Sequence, residues 1–262
     1  GARIGGLVAG LSSGTVTNCS VSGTITGDTN FNGVVGGLIG IVSGSATISN
    51  CQTNVNIVNS STTGGLVGDF LSETAESSLL NCSVSGSITG NPAAGLCVSL
   101  GCGQITQCST TCQVYSHSNA GGLLVSVDNS VVSNCHATGS VSCLGAEGMA
   151  GGLIAFASDS QITGCFASGN VQGSEASSAY SGGLLAACGA SGTGLHSMTI
   201  NRCYAKGNVA GYTVGGLIGN ISPSYGSVTV SNCYARGNVE GESNTGGFVG
   251  EVLTFGQPNE IG

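Results

Sequence analysis

The sequence has no tryptophan, only 6% charged residues and only four lysines and arginines among its 262 residues. So few cations exclude a nucleic-acid partner, because phosphate binding needs clustered positive charge. Twelve acidic residues bring the formal net charge to −8. No apolar run approaches the roughly 18 residues of a membrane-spanning helix, so no membrane insertion is expected. Cys-x-x-Cys is absent and the three histidines, His117, His136 and His196, stand at unrelated positions. Zinc binding and Ser-His-Asp catalysis therefore have little to assemble from, and the sequence reads as no enzyme and as needing no cofactor. It also lacks an initiator methionine and a signal peptide. It opens at Gly1 within a motif that recurs, pointing to a processed mature protein or an excised fragment.

What is abundant is glycine, with 48 residues, beside serine, threonine and small aliphatics, and hydrophobic residues still reach 40%. That mixture has enough apolar surface to fold, and it repeats. A Gly-Gly-Leu anchor places leucine at Leu7, Leu38, Leu66, Leu96, Leu123, Leu153, Leu184 and Leu217, and Phe248 opens an incomplete ninth unit over 246–262. A second anchor is one cysteine per complete unit: Cys19, Cys51, Cys82, Cys108, Cys135, Cys165, Cys203 and Cys233. Three residues before each stands an aliphatic residue, from Val16 to Val230, and six residues after each stands Ile or Val. Two residues after it the side chain is small or branched. Such alternation marks half-buried strands, and glycines four and eight residues past the cysteine read as corners.

With three strand segments per unit, the expected fold is all-β: a single domain over 1–262, a three-faced parallel β-helix (β-solenoid) of about eight coils of roughly 30 residues. Coils about 4.8 Å apart give a rod on the order of 40 Å long. The aliphatic residue and the cysteine three positions on cannot both point inward on a regular strand, so a bend must intervene. The residue before the cysteine is Asn18, Asn50, Asn81, Asn134 or Asn232, with Gly164, Gln107 and Arg202 in the other units. Asn and Gly tolerate the left-handed conformation, so this is a corner carrying an Asn stack.

Gly215-Gly216-Leu217-Ile218-Gly219 followed by Ser231-Asn232-Cys233-Tyr234-Ala235-Arg236-Gly237-Asn238-Val239 resembles the GLUG repeat of bacterial surface proteins, as does Asn201-Arg202-Cys203-Tyr204-Ala205-Lys206-Gly207-Asn208-Val209. The early units replace Tyr-Ala by Ser-Val or Gln-Thr. The resemblance implies an extracellular or cell-surface scaffold, since such repeats occur in large adhesins and as stalk modules beside the catalytic domain of secreted immunoglobulin A peptidases. The peptidase activity does not carry over, because no His-Glu-x-x-His motif is present.

The eight periodic cysteines read as a ladder of small buried hydrophobes. The other five are Cys97, Cys102, Cys112, Cys143 and Cys188, of which Cys97 with Cys102 is the best disulfide candidate. Asp28, Glu147, Glu175 and Glu242 follow the third strand and read as a solubilising rim, with weak calcium binding as the other reading. The position after the periodic cysteine changes from Ser20, Gln52, Ser83 and Ser109 to His136, Phe166, Tyr204 and Tyr234, flanked by Lys206 and Arg236. An exposed aromatic stripe with adjacent polar groups suits a glycan or protein partner, although cross-strand stacking alone also accounts for it.

Two proposals follow, a segment of an adhesin or stalk, or a filament subunit that self-associates end to end. A polysaccharide-acting β-helix enzyme stands third. Threonine pairs such as Thr15 and Thr17 hint at ice binding but do not persist. Asn-x-Ser sequons at Asn18, Asn59, Asn81 and Asn220 matter only in a eukaryotic secretory host.

Overall fold

The computed structural model describes residues 2–27, 33–71, 77–190, 197–224, 226–253 and 260–261. These form a parallel β-solenoid with no helix. Every strand pairs with its equivalent in the neighbouring coil, and the register passes without a slip through Val16, Ile48, Leu79, Ile105, Val132, Ile162, Ile200 and Val230.

The strand segments of each coil are distributed over four sheets, more than the three read from sequence. The fifth coil shows the order: Ala120–Gly121 in sheet A, Leu124–Asp128 in sheet B, Ser130–Ser133 in sheet C, and His136–Ala137 with Val141–Cys143 in sheet D. Sheets A and B separate because the Gly-Gly-Leu segment turns inside itself. A Cβ on its first glycine would stand 1.7 Å from the Leu124 carbonyl oxygen at Gly121 and 1.9 Å from that of Ile154 at Gly151. The second glycine meets the next coil instead: a Cβ on Gly152 would lie 2.0 Å from the Gly183 carbonyl oxygen. The first glycine lets the chain turn and the second lets the coils touch.

Sheets C and D separate at the asparagine corner. Asn18, Asn50, Asn81, Gln107, Asn134, Arg202 and Asn232 all adopt φ between 50° and 56°, and Gly164 adopts 65°. That rotation puts both the aliphatic residue and the cysteine inside. Asn81 Nδ2 donates to Asn50 Oδ1 at 2.7 Å, a rung of the expected stack. Arg202 holds the same strained φ without an amide to stack. Arg202→Asn is therefore expected to stabilise the fold by about 0.5–1 kcal/mol, read as a thermal midpoint higher by roughly 1–4 °C.

Inside, the leucines of the anchor form a column, with Leu38, Leu66, Leu96, Leu123, Leu153, Leu184 and Leu217 fully buried. One apolar cluster runs the length of the described coils, from Ile4 to Val249. Its column of equivalent residues replaces a globular core, so each coil is stabilised chiefly by its two neighbours.

The periodic cysteines line the inside of the C–D corner. Cys51, Cys82, Cys108, Cys135, Cys165 and Cys203 are buried, while Cys19 and Cys233 in the end coils are half-buried. The corner breaks the sheet ladder, and the sulfur repairs it. The backbone N–H of Cys108 donates to Cys135 Sγ at 3.4 Å, and those of Cys135, Cys165 and Cys203 likewise donate to the sulfur of the next coil. Each thiol lies near the carbonyl two residues before it, as Cys135 does to Ser133 at 3.2 Å. Cysteine is thus suited by its hydrogen bonding as well as its size. Cys135→Ala removes the acceptor of a buried N–H and leaves a void, an expected cost of about 2–3 kcal/mol in urea unfolding. Cys19→Ala in the end coil should cost less than about 1 kcal/mol.

The five remaining cysteines do not form the disulfide considered above. Cys97 and Cys102 are both free thiols. Cys97 points into the core and donates to the Ser99 carbonyl at 3.1 Å, whereas Cys102 accepts from Asn129 Nδ2 at 3.5 Å. Burial pushes the Cys97 thiol well up, and pushes Cys112 and Cys188 up to about 12. These thiols stay protonated and act as apolar filling.

Candidate functional site

The outward column of sheet D changes its chemistry along the rod. In the first three coils sheet D is one continuous strand per coil, Ser20–Thr26, Gln52–Val58 and Ser83–Gly90. From the fourth coil it divides into two short strands, as in Tyr204–Ala205 and Val209–Gly211. Within the break of the sixth coil, a Cβ on Gly169 would lie 1.9 Å from the Gly139 carbonyl oxygen of the previous coil.

Register places Ser83, Ser109, His136, Phe166, Tyr204 and Tyr234 directly over one another. The last four are ring-stacked, with centroids 4.7, 4.8 and 4.9 Å apart and planes within 6° of parallel. The sheet spacing of about 4.8 Å sets those separations. Lys206 Nζ lies 4.6 Å from the Tyr204 ring centroid, alongside the stack. Arg236 is exposed in the following coil. The structure therefore brings together all six residues singled out as a binding face.

The stack also changes what the face offers. Phe166 and Tyr204 each carry a ring on both sides, so their faces are occupied by neighbours. A partner meets ring edges, two phenol hydroxyls, an imidazole and two cations. Tyr234, 44% exposed, is the most open ring.

A second ladder escaped the sequence reading. The backbone N–H of Asn208 donates to Asn170 Oδ1 at 3.0 Å, and that of Asn238 to Asn208 Oδ1 at 2.9 Å. The recurrent Gly-Asn-Val tripeptide was the available signal. These amides hold the broken part of sheet D together beside the aromatic column.

Other candidate groups are scattered. His117 bonds Tyr115 through Nε2 at 3.0 Å, His136 belongs to the stack, and His196 lies outside the described residues. Glu147, Glu175 and Glu242 are exposed, and Asp28 also lies outside the described residues. Among the described residues no three or more His, Cys, Asp or Glu converge on one point. Two of the sequon asparagines are buried, Asn59 at 6% and Asn220 at 3% exposure, so the folded chain shields them from modification.

With this geometry in place, comparison with known proteins shows where the chain stands. The sequence model of one family, described as the GLUG motif, matches residues 1–26. The chain carries that motif in its first coil. A solved structure named IgA1 protease is similar at a TM-score of 0.58 and 15% identity, covering 79% of this chain and 18% of that one. At that identity the likeness is one of fold, and the chain spans under a fifth of the other's length. No curated protein matches the sequence at a significant level. The protein is a β-helix scaffold carrying a GLUG motif.

Proposed function

We propose that the chain is a non-catalytic extracellular scaffold, a segment of a surface adhesin or stalk, that presents sheet D to a glycan or protein partner. One observation carries this reading: the interior columns keep their character from coil to coil, whereas the outward column after the cysteine changes from Ser and Gln to four stacked rings beside Lys206. Stability alone asks for a repeated rung, and the change of chemistry halfway along the rod marks a surface with a front and a back. The occupied ring faces favour a partner that hydrogen-bonds to the edges and hydroxyls over one that stacks flat upon them. The motif and the β-helix neighbour support a surface location.

The test uses the full chain on glycan arrays and on cell surfaces. Tyr204→Phe with Tyr234→Phe keeps the stack and removes both hydroxyls; Lys206→Ala with Arg236→Ala removes both cations. Binding is expected to weaken at least tenfold in each pair, and a bound surface that ignores both pairs would dismiss the sheet D reading. Tyr204→Ser separates packing from binding, since it deletes two ring contacts and is expected to cost about 1–2 kcal/mol of stability.

A further inference from the structure

Sheet B carries a pit that the sheet D reading does not use. In the third to sixth coils its outward positions are Asp69, Ser99, Ser126 and Phe156, stacked in register, and the next outward column pairs Asp128 with Ser158. Gly101 occupies that second column one coil before Asp128 and supplies no side chain. The result is a cavity of about 330 Å³ whose lining includes Leu71, Gly101, Ser126, Asp128 and Phe156.

Two features set this place apart from an ordinary solvated face. Its walls are Leu71, 50% exposed, and Phe156, 37% exposed, both large apolar groups left open to water. Its one carboxylate, Asp128, is met by the Ser158 hydroxyl, and Asp69, beside the lining, is met by that of Ser99. The chain's four cations are Arg3, Arg202, Lys206 and Arg236, and none lies in these coils.

We propose that the pit takes the side chain of a lysine or arginine presented by an extended basic segment of a partner protein. Asp128 receives the cation, the Phe156 ring attracts it further, and Leu71 covers the methylene stem. Ser126 offers an acceptor for a remaining N–H donor. A neutral sugar would leave Asp128 without a counter-charge, and a metal ion would find a single carboxylate in the lining where it needs several oxygen ligands. The net charge of −8 draws a basic partner from a distance.

The experiment titrates the full chain with acetylated, amidated Gly-Gly-Arg-Gly-Gly and with its Glu counterpart, followed by amide chemical shifts. Saturable shifts are expected at Leu71, Gly101, Asp128 and Phe156 with the Arg peptide alone. Asp128→Asn and Phe156→Ala, each checked for an unchanged thermal midpoint, are expected to weaken binding about tenfold. Tyr234→Ser on sheet D should leave the affinity unchanged, so that failure here and failure of the sheet D reading remain distinct. The inference is overturned if the Glu peptide binds equally, if either sheet B variant has no effect, or if shifts spread to Glu147, Glu175 and Glu242. Methylguanidinium binding as tightly as the peptide would also overturn it, because the stem and backbone would then contribute nothing.

Discussion

Gly151→Ala is expected to destabilise the protein by about 4 kcal/mol or more, beyond the common range for a point substitution. A methyl group there would sit 1.9 Å from the Ile154 carbonyl oxygen. That atom is backbone in the same turn, so no side chain can swing away to make room. Opening the turn would displace the strands of sheets A and B in the sixth coil, and both neighbouring coils pack against them. The same substitution at Gly247 tests the explanation, because a Cβ there meets no atom within 4 Å. Gly247→Ala should be nearly neutral, within about 0.5 kcal/mol. Equilibrium unfolding in urea measures both, and equal effects would refute the close-approach account of the Gly-Gly pair.

Leu123→Ala is expected to cost about 2–5 kcal/mol, because the side chain is fully buried between Leu96 and Leu153 and the column has no slack to close the void. Its position adds a second consequence. Coils in a solenoid are coupled through nearest neighbours, so a weak fifth coil separates the rod into two stacks that unfold with less cooperativity. A smaller urea m-value should accompany the loss. Leu7→Ala, at a site 50% exposed in the first coil, should cost under about 1 kcal/mol and leave the m-value unchanged. If the two leucines behaved alike, the stacked-column picture of the core would fail.

The coiled architecture was legible because the repeat writes each structural demand in the same place many times. The aliphatic residue three positions before each cysteine, the cysteine itself and the small or branched residue two positions on all turned out to face inward. The bend between them followed from a parity argument, and Asn18, Asn50, Asn81, Asn134 and Asn232 supply it with positive φ. The division of sheet A from sheet B was not legible, because Gly-Gly-Leu-Val-Gly reads equally well as one loose strand or as two short ones around a turn. The corners at Asn129 and Asp159, with φ of 44° and 46°, lie in a stretch whose length varies between units, so no periodic signal reveals them.

The candidate site divides in the same way. That His136, Phe166, Tyr204 and Tyr234 share a column follows from counting positions after the cysteine. That their rings stack face to face, leaving edges for a partner, depends on side-chain rotation. The pit on sheet B had no counterpart in the pattern at all. Leu71, Gly101, Asp128 and Phe156 are far apart in sequence and belong to four different coils, and nothing about them recurs.

What the sequence by itself determined is therefore everything that repeats: parallel coils, an aliphatic and cysteine interior, and the left-handed asparagine corner, since a side chain restricted to one kind of contact appears at a constant spacing. Only the tertiary structure decided the number of sheets, the unpaired state of Cys97 and Cys102, and the chemistry each outward face presents. Those depend on distances between atoms of neighbouring coils, which stacking sets and which one-dimensional spacing does not encode.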